Sequence, residues 1–384
     1  MTRDESPTLF DNVTVGRIRT TSRLVMAPMT RMRADSDGTP TDPMITYYAQ
    51  RASAGMIVVE ATSPDRAGRT FNNTPAIFTS RHRAAWRRLS ERVHDEGGRL
   101  VLQLQHGGRI GHPAVSGVPP MAPSPIVLPD VVFTADGPVP APVPREMTDA
   151  DIAQTIDHFA RAALHAVEAG FDGVEVHSAN GFLLHQFLAE NTNQRTDGYG
   201  GTVAARSRLT LEVTRAVIDT VGADRVGVRI APGFTGFGIA EGDPATLYGH
   251  LVPELAASGA AYLHVVFADP DSDIYRGVRA AWPRTLIANP ALPWPEPLPV
   301  DGGRAEAERL LASGADLVAL GRAFLANPDL VARFRMGAPL NDIRPEHFYG
   351  GADVGYLDYP ALTEPAGAAV RREGGMTAPA RQTI

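Results

Sequence analysis

The chain has 384 residues, 43% apolar and 21% charged, with 36 basic and 43 acidic residues and a formal net charge of −7. This composition excludes disordered, collagen-like and coiled-coil chains, and the acidic balance argues against binding nucleic acid by neutralising phosphates. Cysteine and lysine are both absent, which removes disulfides, thiolate metal centres, Cys nucleophiles, Schiff-base lysines and the P-loop.

The N-terminus, Met1 to Glu5, has no apolar core, so a secretory leader is not expected. No apolar run reaches the roughly 18 residues of a membrane span. A soluble, cytoplasmic monomer or homodimer is expected.

Eight short apolar runs follow in order: Arg23–Met26, Met56–Val59, Leu100–Leu104, Gly173–Val176, Val226–Ile230, Tyr262–Val266, Thr285–Ala288 and Leu317–Leu320. Most of them read as largely apolar and not alternating, as expected of parallel strands buried on both faces. Amphipathic stretches at 81–97, 149–169, 204–221, 244–258 and 304–313 separate them. Strand–helix alternation over eight units predicts a closed (β/α)8 TIM barrel forming a single domain over 1–361. Gly170, Gly259 and Gly314 each stand between a helical stretch and the next strand, so three helices should end on a left-handed residue.

After the third strand, the proline-rich segment 113–145 reads as a hairpin or lid on the C-terminal face of the barrel. Thr148, followed three residues later by Asp151, should cap the next helix. Residues 362–384 read as a loose tail.

Barrel chemistry sits at the C-terminal ends of strands. There the chain places Pro28, Met29, Thr30, Ala61, Gln103, Gln105, His177, Asn180, Arg229, His264, Gly321 and Arg322. This set is rich in Arg, amide and His donors and poor in carboxylates. It suits an anionic, hydrogen-bonding ligand better than a metal, and no metal is expected. Gly321-Arg322 before a helix suits a phosphate.

These residues sit in longer motifs. MAPMTR (26–31), YYAQRASAG (47–55), VVEAT (58–62), QLQHGGR (103–109), the stretch 169–188, NQRTDGYGG (193–201), VRIAP (228–232), the stretch 314–330 and GYLDYP (355–360) resemble the Old Yellow Enzyme family of FMN-dependent ene reductases. The resemblance spans about residues 8 to 360. It implies FMN as cofactor, NADPH or NADH as transient hydride donor, and an activated alkene as small-molecule substrate. It implies that Thr30, Pro28, Met29, Ala61 and Gln103 touch the flavin ring. It sets Arg229 beside the edge where reduced flavin carries negative charge, and Gly321 and Arg322 at the phosphate. His177 and Asn180 become the clamp on the substrate oxygen, and Tyr356 overhangs the ring, either as packing against the cofactor edge or as the phenol that protonates the substrate in place of position 182.

Four departures from the family pattern stand out. Phe182 occupies the place of the Tyr that protonates the substrate. Phe71 and Gln105 replace a Tyr and a Trp of the pocket, and Phe237 a Gln. After the seventh strand, proline-rich 289–297 interrupts the usual Gly-rich phosphate turn, with Asn289, Gly302 or Gly303 as possible replacements. The expected activity is therefore reduction of an activated C=C bond at an atypical site. Redox-neutral isomerisation or desaturation with the same FMN is the alternative. A flavin-free phosphate-binding barrel is a more remote one.

Overall fold

The computed structural model describes residues 7–292 and 297–362. The expected tail over 363–384 and the prolines at 293 and 295 lie outside the described residues.

Eight parallel strands close a barrel: β1 (Leu24–Met26), β2 (Met56–Thr62), β3 (Leu100–Leu104), β4 (Gly173–Ser178), β5 (Val226–Ile230), β6 (Tyr262–Ala268), β7 (Thr285–Pro290) and β8 (Leu317–Leu320). Closure is made by β8 against β1, with Val318 opposite Leu24 and Leu320 opposite Met26. Each of the eight apolar runs became one of these strands. Four of them, β2, β4, β6 and β7, run two or three residues further than their apolar cores.

The alternation of side chains sorts each strand into two faces. Outward residues such as Leu102, Val176 and Val228 join the large core beneath the helices. Inward Val25, Val58, Val101, Tyr262, Ile287, Leu317 and Ala319 fill the lower barrel. Gly227 makes that filling possible, because a Cβ there would run into the Tyr262 ring. A small hairpin, Thr14–Val15 with Ile18–Arg19, plugs the bottom through Val15 and Ile18. Its two-residue strands were too short to be read from the sequence.

Helices Ser80–Asp95, Asp149–Glu168, Val203–Val221, Pro244–Ser258 and Arg304–Ala312 match the amphipathic stretches. Asp149–Glu168 buries Phe159, Ala162, Ala163 and Ala166. It begins with the expected capping box: Thr148 Oγ1 accepts from Asp151 N at 3.2 Å, and Asp151 Oδ2 accepts from Thr148 N at 2.7 Å. Such a cap is worth about 1 kcal/mol. Gly170, Gly259 and Gly314 all take positive φ, as their place between helix and strand requires.

Segment 113–145 contains the expected hairpin, Val131–Thr134 against Gly137–Pro140, antiparallel. Its Val132, with Leu128, packs on Phe182 and Ile110, with Phe71 and Phe237 against them. The hairpin is thus tied to the barrel mouth by apolar contacts.

Candidate active site

Above the apolar floor the barrel interior turns polar. Glu175 on β4 lies fully buried at the centre of a network. Its carboxylate accepts from Gln103 Nε2 at 2.8 Å, from the Tyr262 hydroxyl at 3.1 Å and from His264 Nδ1 at 2.9 Å. The far ring nitrogen of His264, Nε2, accepts from Arg229 Nη1 at 2.9 Å. Arg229 Nη2 donates to Asn289 Oδ1 at 3.0 Å. Register explains the convergence: Glu175 stands opposite Gln103, and Arg229 opposite both His177 and His264.

The electrostatics follow from burial. Burial pushes the Glu175 carboxyl up, but His264 and Arg229 outweigh it and hold it at about 2. Burial and Arg229 bring His264 down to about 4. Burial lowers Arg229 to about 10, still a cation at neutral pH. The unit is one carboxylate, one guanidinium and one neutral imidazole bridging them.

His177 stands one strand step above Glu175, only 4% exposed. Burial and then Arg229 hold its imidazole well below the usual 6.5, so it is neutral. Its Nδ1 is buried without a hydrogen-bond partner. Asn180 follows at φ +54°, a conformation that non-glycine residues hold only when their surroundings impose it. The next peptide is gripped on both sides: Gly181 N donates to His185 Nδ1 at 3.1 Å, and Gly181 O accepts from Gln186 Nε2 at 2.8 Å. His185 is held in turn by Glu241, 2.7 Å from its Nε2.

Around the mouth, Pro28, Met29, Thr30, Asn289, Gly321 and Arg322 are half-buried, as are Phe71 and Phe237. Ala61 and Gln103 are buried. Phe182 forms an apolar wall, with its ring 5.2 Å from His177 and 6.2 Å from Phe237. Arg109 ties this wall together by donating to the Phe237 and Gly238 carbonyls at 2.7 and 3.0 Å.

The structure gives the surroundings of three further residues of the sequence reading. Gly303 N–H donates to Asp301 Oδ1 at 3.0 Å, and Asp301 also takes Ala305 N–H. The Gly303 and Ala305 amides are thus engaged by the Asp301 carboxylate. Tyr356 is fully buried and stacked on Tyr47 at 4.2 Å, with Arg31 and Arg33 over its ring. Burial raises its phenol well above 10, and the hydroxyl has no partner. Gln105 does not stand free in the pocket: its Nε2 donates to Thr70 Oγ1 at 2.8 Å. Glu175, Tyr262, His185 and Glu241 escaped the sequence reading. For Glu175 a signal existed, since an acid at an inward position two residues before His177 interrupts an otherwise apolar strand.

A barrel whose mouth carries a buried cation, neutral donors and an apolar cover defines a site for a planar, electron-accepting ring. The donor set fits a flavin: among the described residues no carboxylate pairs directly with Arg229, and the half-buried rim carries Thr30, Asn289 and Arg322.

The model of the NADH:flavin oxidoreductase / NADH oxidase family matches residues 8–341, and the chain belongs to that family. It is an Old Yellow Enzyme-type oxidoreductase that uses FMN and a nicotinamide hydride donor. A probable flavin mononucleotide-dependent alkene reductase of Leishmania infantum is 38% identical over 359 residues, covering 91% of this chain and 96% of that protein. The 12-oxophytodienoate reductase 7 of Oryza sativa subsp. japonica is 36% identical, over 94% and 97%. A solved structure of morphinone reductase in complex with tetrahydroNAD superposes with a TM-score of 0.87 at 40% identity, over 93% of this chain and 98% of that one.

Proposed function

We propose that this enzyme reduces the C=C bond of an alkene conjugated to a carbonyl or nitro group. The observation that carries the reading is a neutral His177 with an unpartnered nitrogen, beside a strained Asn180, above a buried guanidinium. Bound FMN supplies hydride to the β-carbon of the alkene. His177 and Asn180 hold the carbonyl or nitro oxygen as it gains charge. Each such preorganised donor is worth about 3–4 kcal/mol in the transition state.

Arg229 would lie beside the pyrimidine edge, its charge offsetting the negative charge of the reduced cofactor. Asn289 accepts from Arg229 through its side-chain oxygen and would help to orient it. Gln103, Thr30, Pro28, Met29 and Ala61 would meet the ring, and Gly321 with Arg322 the phosphate. Phe71, Phe182, Phe237 and the lid enclose the substrate in an apolar space. Gln105 contributes by fixing the loop that carries Phe71.

Phe182 offers no proton. The closed stack of Tyr356 on Tyr47 favours a packing role for that phenol, which leaves water as the proton source. A slow protonation lengthens the life of the enolate, and this favours redox-neutral isomerisation or desaturation as the second reading. Phe182→Tyr is expected to leave reduction by NAD(P)H unchanged and to speed reoxidation by an enone about 10²-fold or more, measured by anaerobic stopped flow. An unchanged reoxidation rate would remove position 182 from the proton path. The proposal as a whole is tested by anaerobic reduction with each nicotinamide, then turnover of enones and nitroalkenes with product identification. One saturated product per NAD(P)H is expected. Isomerised product without nicotinamide consumption would select the second reading.

A further inference from the structure

The loop between β2 and helix Ser80–Asp95 has two flanks. One carries Phe71 to the apolar wall of the active site. The other borders a separate cavity of about 430 Å³, lined by Arg66, Arg69, Arg81, His82, Thr79 and Asp37 among others. We propose that this cavity binds a small oxyanion of phosphate type, either free or as a phosphate of the nicotinamide dinucleotide.

Arg69 is only 7% exposed. Its guanidinium donates to the Ser36 and Val115 carbonyls at 2.7 and 3.2 Å, and its Nε has no partner. Neutral carbonyls take only part of its hydrogens, and the carboxylate that acts on its charge is Asp37, which Arg81 already pairs. His82, 2% exposed, also lines the cavity with a buried, unpartnered Nδ1. It sits in the first turn of the 16-residue helix Ser80–Asp95, capped by Thr79, and helix N-termini favour anions. Arg66 is exposed, and its side chain makes no hydrogen bond or ion pair among the described residues. Arg81 pairs with Asp35 at 3.3 Å and with Asp37 at 3.5 Å. In the cavity lining three guanidiniums therefore stand against the one carboxylate of Asp37, which Arg81 engages. The cavity is many times the ~30 Å³ share of one water, so a phosphate fits with its hydration.

The cavity is wired to the active site. Arg69 is flanked by Gly68, whose carbonyl accepts from Gly107 N at 2.9 Å, and by Thr70, which accepts from Gln105. An anion on Arg69 thus steadies the loop that presents Phe71.

The test measures binding of radiolabelled inorganic phosphate to the FMN-loaded enzyme, in which the cofactor's own phosphate contacts are filled. About one phosphate per chain is expected, with the affinity about tenfold weaker in Arg66→Gln and in Arg69→Gln. The Arg66 side chain makes no structural bonds, so its variant keeps the experiment readable if Arg69→Gln fails to fold. If the natural source is the dinucleotide, Arg66→Gln raises the KM for NADPH and leaves that for NADH unchanged, and phosphate competes with NADPH. If it is free phosphate, both KM values hold while phosphate binding falls. The dinucleotide arm rests on the function proposed above, and the phosphate arm does not. A chain that takes up no FMN would overturn that function, while the effect of Arg66→Gln on phosphate binding still reads the cavity. Absence of phosphate binding at tens of millimolar, or the same affinity in wild type and Arg66→Gln, overturns the proposal.

Discussion

Replacing His177 or Asn180 with alanine is expected to slow reoxidation of the reduced enzyme by an enone about 10²–10³-fold. FMN content should stay unchanged. The reason lies in how each donor is held. The His177 imidazole is neutral, nearly enclosed and short of one hydrogen-bond partner. Asn180 is locked at positive φ by the grip of His185 and Gln186 on Gly181. Neither needs to reorganise when the substrate oxygen gains charge, and a donor that is already in place gives its full benefit to the transition state. Because burial and Arg229 keep His177 neutral, its titration should leave no step in the reoxidation rate between about pH 6 and 8, near the ordinary histidine value. His177→Asn, which keeps a donor, should lose less than His177→Ala. Stopped-flow reoxidation measures all three. Equal losses with and without the donor would deny the clamp.

Glu175→Gln is expected to produce the largest loss of stability. It removes the carboxylate on which Gln103, Tyr262 and His264 converge and leaves Arg229 as an uncompensated buried charge. Breaking a buried pair from one side costs about 3–5 kcal/mol, visible as a lower urea midpoint. The same network sets the acid limit of the wild type. The Glu175 carboxyl is depressed from the ordinary 4.5 to about 2, and His264 from 6.5 to about 4. In both cases the unfolded chain binds the proton more tightly, so stability rises with pH across these windows. It should be level near neutrality, fall below about pH 6.5 as His264 favours unfolding, and fall further below 4.5 as Glu175 protonates. Urea midpoints across this range check it. In Glu175→Gln the second decline should be weaker.

The barrel was legible because parallel strands buried on both faces are largely apolar, and the eight runs are, each broken by at most one or two polar residues. Their ends were not. Glu60 to Thr62, His177 and Ser178, Phe267 and Ala268, and Asn289 and Pro290 all continue their strands, yet their polar or irregular character made the apolar core appear to stop early. Of the proposed site residues, His177 and Asn289 sit in those overhangs, while Gln103, Glu175, Arg229 and His264 are inward polar residues within the apolar runs. Residue identity at the mouth was readable one strand at a time. Pairing across strands was not: His264 reaches Glu175 from 89 residues away, and no local spacing encodes that. The same holds for Asp301, whose capping of the helix at Gly303 depends on a side-chain rotamer. The cationic cavity was invisible because Arg66, Arg69 and Arg81 look like ordinary solvated charges until the loop folds them around one space.

Titration of the flavin-depleted chain with FMN tests the central assignment most directly. One FMN per chain is expected, with flavin fluorescence quenched, and with the affinity sharply weakened in Arg229→Gln while Phe71→Ala, at the outer wall, leaves it unchanged. A chain that binds no FMN, or binds it equally well without the Arg229 guanidinium, would contradict a cofactor lying across the barrel mouth.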